Sequence, residues 1–216
     1  MLNRSLEDIL IIIPVILVSL TVHELAHASV SLLLGDDTAK RAGRVTLNPL
    51  RHVDPIGFVM LVVVGFGWAK PVTFDRTKLG KPVRDEILVA FAGPVSNLLL
   101  ALLGVVVLRR LVFSDALAAS AAYDTVVNAG ITFCVINIAL AVFNSLPIPP
   151  LDGSHLYTSF LSNRNAALAA QVTKYGVGLL LILIVLGRVT GLDLLPIGPA
   201  IDAIFGGMLR LVGLSS

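Results

Sequence analysis

The sequence contains 216 residues, of which 56% are hydrophobic and only 14% are charged, and the mean hydropathy is +0.91. A typical soluble domain carries roughly 25% charged residues, so this chain has too few charges to cover the surface of a soluble protein of its size. The net charge of +2 gives no ground for nucleic-acid binding, and a single cysteine, Cys134, excludes an internal disulfide framework.

Four apolar stretches are long enough to cross a bilayer, whose hydrocarbon core requires about 20 residues of helix. They cover about residues 9–34, 87–108, 126–146 and 172–187. Because lipid solvates an apolar exterior, such a chain can expose side chains that a soluble protein would have to bury. We therefore expect an all-α polytopic membrane protein, located in the cell membrane and organised as one domain over residues 1–216.

Two further apolar segments are expected to associate with the membrane without simply crossing it. Residues 56–69 are short for a span and contain three glycines, and their core has residues typical of β-strands. We interpret them as a re-entrant hairpin that continues into an extended stretch over residues 68–72. Residues 195–214 have apolar side chains at helical spacing, which predicts an amphipathic helix on the membrane surface or one further membrane helix.

Basic residues predict the orientation of the chain in the membrane. If the hairpin does not cross, the connection over residues 35–86 carries nine lysines and arginines, whereas the next connection carries only Arg109 and Arg110. Because cytoplasmic connections are enriched in Lys and Arg, we expect residues 35–86 to face the cytoplasm and the N-terminus to face outward.

The sequence His23-Glu24-Leu25-Ala26-His27 lies within the first apolar stretch. A spacing of four places both imidazoles on one face of a helix, where they can bind one metal ion, and Glu24 beside them can act as a general base toward water. A charged group near the bilayer centre costs about 2.5–3.5 kcal/mol. Three ionisable groups in one helical turn therefore indicate a metalloprotease site rather than a pair of structural histidines.

A catalytic zinc site requires a third protein ligand and an open position. Asp152, His52 and His155 are the candidates with neighbours at a membrane edge. Asp152 lies near the end of a proline-rich segment, residues 144–153, where the third span breaks. Because broken backbone at membrane depth is tolerated only against protein or a wet cavity, this segment is a natural wall of an active site. An ordinary helix-ending turn is the alternative interpretation.

The second span contains a small-residue stretch that ends at Asn97. Gly93 permits close helix packing, and a buried amide such as Asn97 requires a hydrogen-bond partner. A hydrogen bond between helices and a substrate-facing role are equally consistent with this position. Asn137 and Asn144 raise the same question in the third span.

Taken together, these motifs resemble the site-2 protease family of intramembrane zinc metalloproteases. The matching pieces are residues 23–27, 92–98 and 144–153, which occur in the family's order. The resemblance implies a three-helix catalytic core with one zinc ion per chain. It implies that His23, His27 and Asp152 bind the zinc, that Glu24 is the catalytic base, and that Asn97 and Asn144 hold the substrate strand or the oxyanion.

The resemblance also implies the substrate class, namely the transmembrane segments of other membrane proteins embedded in the lipid bilayer. Many family members carry a PDZ or CBS domain, for which 216 residues leave no room, so we expect the short bacterial or archaeal form. Two alternatives are a catalytically idle zinc-binding scaffold and a metal transporter.

Overall fold

The structure, a computed structural model, describes residues 5–64 and 67–214, and its regular elements are helices. The helices are α1 (Leu6–Leu33), α2 (Thr38–Arg41), α3 (Pro55–Val64), α4 (Pro82–Val112), α5 (Asp115–Ala118), α6 (Tyr123–Asn144), α7 (His155–Arg164), α8 (Ala166–Thr190) and α9 (Ile197–Leu211). Short 3-10 turns lie at Pro49–Arg51, Arg76–Lys78 and Asp152–Ser154.

Four helices, α1, α4, α6 and α8, are long and apolar enough to cross a membrane. The prediction of an all-α polytopic membrane protein is therefore confirmed. The helices extend beyond the apolar stretches because polar residues form their ends. In α1, Ser5 accepts a hydrogen bond from the backbone N–H of Asp8, whose side chain accepts one from Ser5 in return.

The helices α1, α4 and α6 form the core, with α4 packed against both of the others. Small residues allow the close approach of α4 and α6. A Cβ atom on Gly104 would lie 2.8 Å from the sulfur of Cys134. The fourth long helix, α8, packs against α7, and at Gly176 it meets the ring of Pro149. The fold is thus a three-helix core with α8 placed against the segment that follows α6.

The segment after the first 3-10 turn differs in one respect from the sequence prediction. We expected strand-like backbone over the core of residues 56–69, whereas α3 is a helix from Pro55 to Val64. Asp54 accepts a hydrogen bond from the backbone N–H of Gly57, and Pro55 occupies the first helical position. These are helix-start signals, and in an apolar environment a helix satisfies its own backbone polar groups.

The chain nevertheless leaves and returns at the same place, as a hairpin does. Val53 and Ala69 form an isolated antiparallel bridge, and the backbone N–H of Lys70 donates to the carbonyl of His52 at 2.8 Å. The tip of the predicted hairpin, residues 65–66, lies outside the described residues. The stretch that follows forms no helix before the 3-10 turn at Arg76, and its bridge at Ala69 is consistent with the extended segment expected over residues 68–72.

A buried carboxylate fixes both ends of the connection between α1 and α4. Asp36 is fully buried and accepts hydrogen bonds from the hydroxyl of Ser31, from Thr38 and from the backbone N–H of Asp75. Burial raises the pKa of Asp36, but these hydrogen bonds outweigh it and bring the pKa to about 2. The contact holds the extended stretch close to the C-terminal end of α1.

The C-terminal helix α9 is 15 residues long, or about 22 Å at the α-helical rise. This is short of the roughly 30 Å of a bilayer core. It packs against α6 and carries no buried residue. Of the two alternatives for this segment, the length favours the helix that lies on the membrane.

Candidate metal centre

Two histidines of α1 present their Nε2 atoms to the same point. The Nδ1 atom of His23 is 2.6 Å from the amide oxygen of Asn97, and the Nδ1 atom of His27 is 2.7 Å from the carbonyl oxygen of Val89. Both partner atoms are acceptors, so each imidazole carries a proton on Nδ1, and in the neutral form of the ring a lone pair remains on Nε2. This arrangement is the usual one for metal-binding histidines.

Asn97 is fully buried and is held in one orientation by two further contacts. Its Nδ2 atom donates to the side-chain oxygen of Asn137 at 2.8 Å and to the carbonyl of Ser19 at 3.3 Å. The amide oxygen therefore faces His23. The structure places Asn97 behind His23 and away from the cavity described below, which favours the interhelical role over the substrate-facing one.

The carbonyl that orients His27 lies one turn before a proline. Pro94 has no backbone N–H, so the carbonyl of Ala90 loses its helical partner and the turn around it is perturbed. Val89, which precedes Ala90, directs its carbonyl oxygen to His27. The small-residue stretch of α4 thus contributes a backbone acceptor as well as Asn97.

Asp152 reaches the histidines because the chain folds back tightly after α6. A Cβ atom on Gly153 would lie 2.7 Å from the carbonyl oxygen of Leu146 and would clash with the carbonyl of Ser145. Only glycine allows this close approach of the two backbone segments. The turn that begins at Asp152 is thereby pressed against the end of α6, beside the histidines of α1.

The donor set fits a zinc ion. The Nε2 atoms of His23 and His27 are 3.0 Å apart, and they lie 3.2 and 3.5 Å from the Oδ2 atom of Asp152. With zinc–ligand bonds of about 2.0–2.1 Å, two corners of a tetrahedron are about 3.3 Å apart. The three atoms therefore match three corners of a tetrahedral site.

The chemistry of this cluster also favours a cation. Asp152 brings a carboxylate next to the Nε2 atoms of the two histidines. Its Oδ2 atom is buried and accepts no hydrogen bond from any described residue. Three lone pairs in mutual contact repel one another unless a positive ion lies between them.

Gly93 completes the site by leaving room for the imidazoles. A Cβ atom at this position would lie 2.6 Å from the Nε2 atom of His23 and would also clash with the Nε2 atom of His27. Any side chain here would enter the space next to the three donor atoms. Glycine is therefore required by the site itself and not only by helix packing.

Glu24 lies beside the cluster and faces a cavity of about 330 Å³. Its Oε2 atom accepts a hydrogen bond from the backbone N–H of Val72 at 3.1 Å and lies 3.7 Å from the guanidinium of Arg44. The residues that line this cavity are Leu20, His23, Glu24, Gly67, Trp68, Ala69, Pro71, Leu140, Phe143, Asn144, Pro150, Leu151, Asp152 and Leu180. A carboxylate therefore stands at the border between the donor cluster and an apolar pocket.

The other candidate residues have different surroundings. The Nε2 atom of His52 is 2.8 Å from the carbonyl of Thr46, and the Nδ1 atom of His155 is 3.1 Å from Glu86. Among the described residues, the possible metal-binding group comprises His23, His27 and Asp152 without either of them. Asn144 does line the cavity, and one of its amide hydrogens donates to the carbonyl of Leu140.

Three contributors were not found by sequence reasoning. The carbonyl of Val89 and the backbone N–H of Val72 carry no side-chain signal, although the proline after Gly93 indicates a perturbed turn near the former. Arg44 was counted only as one positive charge of a basic connection. Nothing in its local sequence indicates that it lies next to Glu24.

The chain is similar in sequence to a peptidase family and to relatives that are named as zinc metalloproteases. Residues 113–186, which include Asn144 and Asp152, match the model of peptidase family M50. A protein of Bacillus subtilis (strain 168) named "Putative zinc metalloprotease YwhC" is 42% identical over 171 residues, which cover 79% of this chain and 78% of that protein.

Mycobacterial relatives are more distant and longer. "Putative zinc metalloprotease Rip2" of Mycolicibacterium smegmatis is 30% identical over 78% of this chain and 64% of its own length. The Mycobacterium tuberculosis (strain H37Rv) protein of the same name is 30% identical over 81% of this chain and 66% of its length. The chain thus spans about two thirds of these two proteins. No solved structure matches the chain significantly.

Proposed function

Because the chain belongs to peptidase family M50, the site-2 protease family, we propose that it is a zinc-dependent protease that hydrolyses peptide bonds in or near transmembrane segments of other membrane proteins. The observation that carries the proposal is the convergence of three lone-pair donors, His23, His27 and Asp152, beside Glu24 and the cavity. In this proposal the enzyme works in the cell membrane with one zinc ion per chain.

The chain's own residues account for binding and proton transfer. When bound, zinc would supply a Lewis acid that lowers the pKa of water toward about 7 and polarises a carbonyl. Glu24 is placed to accept the proton of the attacking water and to deliver it to the leaving amine. Asn144 lines the same cavity, and its remaining amide hydrogen can donate to the oxyanion.

The depth of the site suits a substrate within the bilayer. Glu24 lies nine residues before the end of α1, or about 14 Å from the side where the basic connection begins. With a hydrocarbon core of about 30 Å, this is close to the bilayer centre. Because apolar residues of α6 and α8 line much of the cavity, water is expected to enter from the side of the connection.

A transmembrane helix must unwind before it can be cut, because its carbonyls are engaged in helical hydrogen bonds. The extended stretch over residues 68–72 is placed to receive such an unwound segment. Ala69 lines the cavity, and neither its N–H nor its C=O has a backbone hydrogen-bond partner among the described residues. An added substrate strand can pair with both groups.

The test is the Glu24→Gln variant, reconstituted with a single-span model substrate and compared with wild type. Glutamine keeps the shape and can still accept the N–H of Val72, but it cannot take up a proton. General acid–base groups contribute about 10²–10⁴-fold, so cleavage should become undetectable on a gel while zinc content and folding persist. Near-normal cleavage by a folded, zinc-loaded variant would refute the mechanism. Zinc binding without cleavage by wild type would favour the idle scaffold.

A further inference from the structure

The extended stretch next to the candidate centre is held in place by a buried arginine. The side chain of Arg44 is only 7% exposed. One terminal nitrogen donates to the carbonyl of Pro71 at 3.1 Å, and the other donates to the carbonyl of Lys70 at 2.5 Å. Arg44 thus binds two consecutive carbonyls of the chain that lines the cavity.

The same guanidinium also faces the carboxylate of Glu24. The terminal nitrogen that binds Lys70 lies 3.7 Å from the Oε2 atom of Glu24, and this oxygen accepts the N–H of Val72. A closed set of contacts therefore connects Arg44, the backbone of residues 70–72 and Glu24. A further hydrogen bond, from the backbone N–H of Lys70 to the carbonyl of His52, also holds this stretch in place.

The arrangement is costly, which argues against a simple packing role. The Nε–H of Arg44 is buried and has no hydrogen-bond partner among the described residues. Burial lowers the pKa of Arg44, and the charge of Glu24 raises it by a smaller amount. The guanidinium stays charged, because arginine is not deprotonated in proteins. A buried cation that contacts one carboxylate and two backbone carbonyls indicates that its position is specified by the fold.

We propose that Arg44 is the positioning residue of the active site, and that its planar fork sets both the register of residues 70–72 and the orientation of Glu24. The inference rests on the proposed function for the role of Glu24. The planar guanidinium donates to two adjacent carbonyls through two separate nitrogens and faces a carboxylate at the same time. Lysine provides the charge at a single point and therefore cannot replace it.

The chain offers a spectroscopic probe and a matched control. Trp68 is the only tryptophan, lies in the stretch that Arg44 holds, and is 48% exposed. Arg41, three residues before Arg44, is 74% exposed and pairs with Asp37. Arg41→Gln therefore removes an arginine from the same connection without touching the cavity.

The experiment compares wild type, Arg44→Gln, Arg44→Lys and Arg41→Gln by zinc content, by quenching of Trp68 fluorescence with acrylamide, and by cleavage kinetics with a single-span substrate. Misplacement of about 1 Å can cost on the order of 100-fold in rate. Both Arg44 variants should keep zinc, show increased quenching, and lose on the order of 10- to 100-fold in kcat/KM. We expect KM to rise and kcat to fall. A smaller folded fraction would instead lower the apparent kcat and leave KM unchanged.

The outcomes are distinct. If Arg44→Lys has the cleavage kinetics and Trp68 quenching of wild type, the proposal is overturned, because a positive charge alone would then suffice. This comparison remains decisive even if Arg44→Gln does not fold. Equal effects in Arg41→Gln would also overturn it. If wild type cleaves no substrate, the proposed function fails, but increased Trp68 quenching in the Arg44 variants still supports the contact of Arg44 with the stretch.

Discussion

Replacement of Gly93 by alanine provides the sharpest test of the candidate metal centre. At an exposed position of a helix, replacement of glycine by alanine stabilises the helix, because the helix propensity of alanine is better by about 1 kcal/mol. Here the new Cβ would lie 2.6 Å from the Nε2 atom of His23, whereas ordinary contacts begin at 3.4 Å. The imidazole must therefore move by about 0.8 Å.

Such a displacement is large for a metal ligand, whose bond lengths are held within about 0.2 Å. His27 must move as well, because the same Cβ clashes with its Nε2 atom. Changes that only disturb the orientation of a ligand cost about 10- to 100-fold in metal affinity. Displacement of two ligands should cost on the order of 100-fold or more. The fold should persist, because overpacking typically costs about 1–3 kcal/mol.

Zinc per chain is measured by elemental analysis after dialysis against buffers of graded free zinc, and thermal unfolding is measured on the metal-free protein. Gly178→Ala is the control, because a Cβ at that position of α8 meets nothing within 4 Å. It should bind zinc as wild type does. Wild-type zinc affinity in a folded Gly93→Ala protein would refute the placement of the metal between the two histidines.

Three further predictions rest on the contacts of Asp152, Asn97 and Asp36. Asp152→Ala should lose most of the zinc at concentrations that saturate wild type, whereas His52→Ala and His155→Ala should retain it, which elemental analysis can check. Asn97→Ala should weaken zinc binding by about 10- to 100-fold, because His23 loses the acceptor that orients it; unchanged affinity with a raised KM would instead indicate contact with substrate. Finally, because the pKa of Asp36 is lowered to about 2, its stabilising contribution is complete above an ordinary carboxyl pKa of about 3.9 and is lost as the pH falls through 2. Circular dichroism of the metal-free protein from pH 5 to 1.5 should therefore show a smaller acid-induced loss of stability for Asp36→Asn, and an unchanged profile would contradict this assignment.

Local patterns in the sequence were sufficient for the four long helices and for the two histidines of the candidate site. Long apolar stretches predict membrane helices because length and hydropathy alone decide whether a segment can cross a bilayer. The spacing of His23 and His27 places both on one face because helical periodicity is a local property. Strand propensity failed over residues 58–64, since the helix-start signals at Asp54 and Pro55 and the apolar surroundings outweigh β-branched side chains.

The rest of the candidate site depends on contacts between distant parts of the chain. Asp152 was only one of three possible ligands until the fold placed its carboxylate 3.2 Å from His23, which lies 129 residues earlier. The orientation of Asn97 toward His23, and the position of Arg44 between the extended stretch and Glu24, likewise have no local signal. Sequence periodicity describes one helix at a time, whereas these distances are set by how close glycines let helices and turns approach, and that closeness exists only in the packed molecule.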